Sequence, residues 1–175
     1  MSTPANAAAA PISTHTNGVI EARFNEARAL FEKQLESDTR RLTTVGTMVS
    51  RAPRLQATLD TDHRTVLDLA QTLQQQVESD LFTVTDAGGS VLARVHEPDH
   101  WGDDATGEPM IADALTGIPR AGLTVNSGKL YQVTAVPIIS GGMVMAGVLK
   151  LGLVIDDQFA NSMKSLTGTD ITFQI

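Results

Sequence analysis

The densest run of chemistry-bearing side chains lies between Arg94 and Asp104. It contains His96-Glu97-Pro98-Asp99-His100, a literal H-E-x-x-H. In zinc hydrolases that spacing works on a helix, where both histidines share one face and the Glu is the base. Here Pro98 stands in the middle, the preceding residues read as strand, and a turn follows, so the helical geometry fails. His96, His100, Asp99, Asp103 and Asp104 would also allow a looser metal site. Those carboxylates read more simply as loop caps and solvated charge, and no metal or cofactor is expected. The chain has no cysteine, hence no thiolate ligand, Cys nucleophile or disulfide. It has no G-x-S-x-G, no Walker loop and no G-x-G-x-x-G opening a helix. Asp103-Asp104 and Asp156-Asp157 are adjacent in sequence, so they do not share a proton. The expectation is a protein that is not an enzyme.

Binding chemistry is better represented. Small-ligand pockets are mostly apolar with a few convergent polar groups. In a strand, residues two apart share a face, which groups Leu92, Arg94 and His96. Arg94 presents a fork of donors that matches a carboxylate or phosphate; the alternative is an edge arginine with its head in water. His96 at the strand exit either donates to a ligand or makes a structural hydrogen bond. Trp101 stands alone of its kind in a polar loop, and either covers a ligand or plugs the gap between loop and sheet. Tyr131, the sole tyrosine, opens a strand with an apolar ring and a hydroxyl handle. Gln132 and Thr134 point to the other face of that strand. Lys150 interrupts the apolar run VMAGVLKLGLV and needs water, a carboxylate such as Asp86, or a ligand, because an unpaired buried charge is costly. Arg94, His96, Trp101, Tyr131 and Lys150 are therefore the candidate ligand-binding residues. Arg120 and Lys129, near strand ends, read as solvated.

The elements that position them fall into a helical first half and a strand-rich second half. Apolar residues recur at Ile20, Phe24, Ala27, Phe31, Leu35, Leu42, Val45 and Val49, with Asp38 the one miss, and the opposite face is charged. The spacing predicts a long helix over 19–52 stopped by Pro53, roughly 45 Å at 1.5 Å per residue. A second helix follows, capped by Asp62 or Thr61. Strands are predicted at 81–86 and 90–95, joined by a Gly88-Gly89 hairpin, then at 121–126, 130–139 and 143–154. A short helix covers 108–115, and another covers 156–166 with Asp156 as N-cap, Phe159, Met163 and Leu166 on one face and Gly168 as terminator. A final strand is predicted at 171–175. Residues 1–18, rich in Ala, Ser, Thr, Pro and Asn, read as a disordered leader or a remnant of expression.

Composition bounds the rest. With 175 residues the chain makes about one domain. Its 13 Lys+Arg against 20 Asp+Glu, a formal charge of -7, argue against nucleic acid as a partner. No window approaches the roughly 18 consecutive apolar residues of a membrane span.

The segments FTVTDAGGSVL (82–92), Arg94-x-His96-x-Pro98, Gly102-Asp103, YQVTAVPI, MVMAGVLKLGLVID and LTGTDITF resemble, in that order, the single Cache domain. This is the PAS-like extracytoplasmic sensor module of bacterial chemoreceptors, histidine kinases and cyclases. The resemblance covers roughly 20–175. It implies an α+β fold: a long N-terminal helix (19–52) packed on a central antiparallel PAS-like sheet of five to six strands (81–175). It implies a periplasmic, ligand-binding part of an inner-membrane receptor, tied to the membrane only through flanking helices absent from this chain. The expected ligand is a small polar metabolite, an organic acid or similar anion. Arg94 would pair with it, Tyr131 and His96 would hydrogen-bond it, and Trp101 would cover it. The long helix would carry the signal and a homodimer contact in the intact receptor. The alternative is a dimerisation or protein-interaction module without a small ligand.

Overall fold

A computed structural model describes the backbone of residues 13–167, with side chains over 21–165 apart from residue 163. Residues 1–12 of the expected leader, Gly168 and the expected strand at 171–175 lie outside the described residues, as do the side chains of Met163 and Leu166.

The first helix, α1, runs Ser13–Ser50 and starts earlier than the apolar pattern does. Extending a formed helix costs little, because each added residue brings its own hydrogen bond. Pro53 ends α1 as expected but also opens a short helix, α2 (Pro53–Thr58), from its first turn. Proline is tolerated there because the N–H it lacks would have no partner. α3 (His63–Val77) is capped by Asp62, which accepts from Thr65 N at 3.2 Å.

Five strands follow: β1 (Leu81–Asp86), β2 (Val91–Arg94), β3 (Arg120–Asn126), β4 (Lys129–Ser140) and β5 (Val144–Ile155). Between β2 and β3 lies α4 (Pro109–Leu115), and α5 (Asp157–Thr167) follows β5. The strands form one sheet in the order β2-β1-β5-β4-β3, antiparallel throughout. Asp86 shapes the β1–β2 turn by accepting from Gly88 N and Ser90 N. Gly89 has φ +86°, and a Cβ there would stand 2.5 Å from Thr106 Cγ2, so only glycine fits. Asp156 caps α5 through Gln158 N and Phe159 N.

The two faces of the sheet differ. One buries Phe82, Val84, Val136, Ile138, Leu149 and Leu151 against α1, α2 and α3, through Leu42, Leu55, Val66 and Leu69. α1 comes closest at Gly46, where a Cβ would meet Leu151 and Val136 side chains at 3.2–3.3 Å. Polar rungs add to this contact. Gln132 Nε2 donates to Leu35 O and Thr39 Oγ1, and the Thr43 and Thr134 hydroxyls lie 3.1 Å apart. Phe31 of α1 meets Phe159 of α5 edge to face. The other face carries α4, whose Ala114 packs on Ala135 and Val148.

One facing assignment is corrected. The β1–β2 register shifts between Val84 and Thr85, so Thr85 pairs with Val91 while Val84 pairs with Ala93. This bulge turns Leu92 onto the main core, away from Arg94. No sequence period announces a bulge.

Candidate functional site

Strand register places three cations in one lateral row on the α4 face. Thr83 pairs with Arg94 on one side and with Lys150 on the other. Lys150 pairs with Ala135, and Ala135 with Arg120. The row thus reads Arg94–Thr83–Lys150–Ala135–Arg120 across all five strands. Strand spacing of about 4.8 Å sets the backbone at Lys150 roughly 10 Å from the backbone at either arginine.

The loop and helix between β2 and β3 answer this row with three carboxylates, five residues apart. Asp103 takes the Arg94 fork in two bonds of 2.6 and 2.8 Å. Glu108 pairs with Lys150, and Asp113 with Arg120 at 2.9 Å. The segment is stapled across the sheet from one edge to the other. The partner of Lys150 is therefore Glu108 rather than Asp86, and Arg120, although half-exposed, is ion-paired rather than merely solvated. The Arg94 head is also not in water: its side chain is only 14% exposed, and it donates as well to His100 O. The same bonds hold the Asp103 carboxyl below the usual carboxylate range.

A second structure joins the two edges. After β2 the chain turns away, and His96 Nε2 lies 3.2 Å from Asn126 Nδ2 at the end of β3. Glu97 Oε1 accepts from Ser127 Oγ in the β3–β4 turn. β2 and β3 are opposite edges of the sheet, so these contacts make an arch over one face. Arg94, on the α4 face, donates to His100 O, which sets the loop carrying His96 and Glu97 toward that face.

His96 is the chemically unfinished part of the arch. The Ser127 hydroxyl is shared between Asn126 Oδ1 at 2.9 Å and Glu97 Oε1 at 3.2 Å; with the Asn126 amide oriented this way its Nδ2 donates to His96 Nε2, which leaves the proton of a neutral imidazole on Nδ1. That Nδ1 is buried and has no hydrogen-bond partner, the one such side-chain atom among the described residues. Burial pushes the His96 pKa down, with Arg94 and Lys150 adding to the effect against Glu97 and Glu108, so the ring is neutral at pH 7. Tyr131 lies on the same face, opposite Val154, and burial pushes its phenol up, helped by Asp80 and Glu97. Burial raises the Glu97 carboxyl, but hydrogen bonds from His100 and Ser127 outweigh this and hold it low.

The structure thus brings Arg94, His96, Tyr131 and Lys150 to one face. It does not bring Trp101 there. That ring stacks on His63 at the start of α3, with centroids 4.4 Å apart and planes 6° apart. His63 in turn contacts Leu92 O and Pro98 O, so Trp101 braces the outer side of the loop. The H-E-x-x-H segment is bend and turn, and no group of three or more potential ligands among the described residues could hold a metal. Sequence reasoning did not find Glu108, Asp113, Asn126 or the partnership of Asp103 with Arg94. The five-residue spacing of Asp103, Glu108 and Asp113 was readable, but the cations it matches come together only through strand register.

The family model described as dCache_3, double sensory domain of two-component sensor kinase, matches residues 20–175. The chain belongs to this family. Its described residues hold one five-stranded sheet. The E. coli DcuS sensor domain is similar at TM-score 0.64 and 14% identity, over 75% of this chain and 97% of that one. The sensor domain of the V. cholerae histidine kinase DctB gives TM-score 0.67 at 11% identity, over 79% of this chain but 57% of that one. The sensory domain of the Campylobacter jejuni chemoreceptor Tlp3, with isoleucine bound, gives 0.59 at 11%, over 94% and 69%. At such identities the likeness establishes the Cache fold. No curated protein matches the sequence. Among the described residues, no helix is long and apolar enough to cross a membrane.

Proposed function

We propose that this dCache_3 chain is the extracytoplasmic sensor domain of a transmembrane receptor, and that it binds a small polar metabolite carrying a carboxylate on the α4 face beneath the arch. The observation that carries the reading is the buried, unpartnered His96 Nδ1, in a ring whose electrostatics Lys150 also shapes. A buried donor without an acceptor costs about 1–3 kcal/mol, and a ligand oxygen would relieve that cost. Tyr131 supplies a second polar handle, while Arg94, saturated by Asp103, holds the loop rather than the ligand. Tlp3, whose crystal structures include isoleucine and norvaline complexes, is a precedent for small carboxylate-bearing ligands on this fold.

The domain acts without catalysis. The ligand prefers one packing of α4 and the sheet against α1, and only that differential affinity shifts the population. α1 passes the shift on and carries a homodimer contact in the intact receptor. Phe24, 63% exposed on α1, supports that contact. The test is thermal unfolding against carboxylates, amino acids, amines, purines and divalent metals. A ligand of the folded state at 100 times its Kd adds about 2.7 kcal/mol. A raised midpoint with one carboxylate class is the expected result. A response confined to amines, purines or metals would overturn the reading.

A further inference from the structure

Three ion pairs fasten the segment between β2 and β3 to the sheet, and they are not equivalent. The Arg94–Asp103 pair is doubly fixed. The Asp103 main chain accepts from Val91 N, and Gly102 N donates to Val91 O, so the backbone around Asp103 continues the ladder at the edge of β2. The Arg120–Asp113 pair is half-exposed on both sides, where water screens it. The middle pair differs from both. Lys150 is 7% exposed, and its partner Glu108 is 41% exposed. Glu108 stands at the N-cap of α4, yet its side chain makes no capping bond. Among the described residues Lys150 is the one side chain shown holding that carboxylate, and water reaches it from outside.

The ammonium of Lys150 is thus a buried cation with a releasable carboxylate on it, on the face where His96 Nδ1–H lacks an acceptor. A ligand carboxylate arriving there meets two donors, one empty and one occupied. We propose that Glu108 is a built-in competitor: its carboxylate holds the place on Lys150 that a ligand carboxylate takes, so binding exchanges one ion pair for another and frees the start of α4. This inference rests on the proposed ligand site and adds which residue receives the carboxylate and which yields it. Exchange leaves no buried charge unpaired in either state, since Lys150 always has a partner and the released Glu108 turns to water. It also makes binding move a defined element. α4 packs on β4 and β5 through Ala114, Ala135 and Val148, and the freed staple is the middle one of three.

The exchange is tested by isothermal titration of acetate, succinate and citrate into the wild type, Glu108→Gln, Glu108→Asp and Lys150→Met. Glu108→Gln keeps a hydrogen-bond acceptor for Lys150 and removes the competing charge. If Glu108 occupies Lys150 about nine-tenths of the time, affinity for the carboxylate bound by the wild type rises about tenfold in that variant. Glu108→Asp, one methylene shorter, gives a smaller rise, and Lys150→Met abolishes binding with its thermal midpoint retained. A wild type that binds one of the three, with Glu108→Gln binding no better or worse, overturns the exchange and leaves the ligand site standing. Silence of all three carboxylates with wild type and Glu108→Gln alike overturns both.

Discussion

Lys150 lies in the middle of the central strand with its side chain 7% exposed, and Glu108 is its partner. Removing one partner of a fully buried pair costs about 3–5 kcal/mol, because the other charge stays desolvated and alone. Glu108 is partly exposed, so water moves in toward the ammonium and the loss in Glu108→Ala comes down to about 2 kcal/mol. Each kcal/mol moves Tm by about 2–4 °C at this chain length, which gives a drop of about 4–8 °C. Lys150→Met should behave in the opposite way. It replaces the buried ammonium with an apolar chain of similar volume and leaves Glu108 in reach of water, so stability holds or rises. The double variant should therefore recover what Glu108→Ala loses. Urea unfolding followed by circular dichroism reads all three, provided the m-value is unchanged. If Lys150→Met costs as much as Glu108→Ala and the double variant loses no more than either, the pair is a stabilising element, and the argument that Lys150 serves a ligand fails.

The His96 pKa lies below its ordinary 6.5 in the fold, so as pH falls through 6.5 the unfolded chain takes up a proton that the folded one refuses. Stability present above that pH is lost as pH falls toward the folded value, and His96→Gln flattens this part of a Tm–pH curve between pH 7 and 5; an unchanged slope would show that His96 is not its source. Gly147→Ala would put a Cβ 2.0 Å from Thr85 O and force β1 and β5 apart, so a loss of about 3 kcal/mol or more is expected in urea unfolding. His63→Ala removes the ring stacked on Trp101, so tryptophan emission shifts to the red while Tm moves little; an unshifted spectrum would mean that the stack is absent in solution.

Much of the fold was legible because it is local. The helical run of α1, the Asp62 and Asp156 caps and the Gly88-Gly89 turn each follow from a few neighbouring residues. The placement of Tyr131 opposite Gln132 and Thr134 was legible too, since alternation along β4 is unbroken there. Leu92 was misplaced because a bulge adds one residue without any mark in the pattern. The second role of Pro53, opening α2, depends on α1 ending at Ser50, so that Ala52 can serve as the N-cap of a new helix. The site was half legible. Arg94, His96 and Lys150 stood out as polar residues in apolar strands. Their partners Asp103, Asn126 and Glu108 could not be assigned, because each comes from a segment whose path over the sheet is set by tertiary contacts. The sequence alone leaves Trp101 between covering a ligand and plugging the gap between loop and sheet, because its stacking partner His63 lies 38 positions upstream.

The central claim is that ligand binds beneath the arch, and His96 reports on that space directly. Ring 15N–1H correlation spectra of His96 should be recorded while the carboxylate that most raises Tm is titrated in. The account predicts that the Nδ1–H resonance moves downfield as it gains an acceptor, with the ring staying neutral and Nε2 still held by Asn126. A carboxylate that saturates the protein while both His96 nitrogens stay unmoved would place the binding site elsewhere and contradict the account.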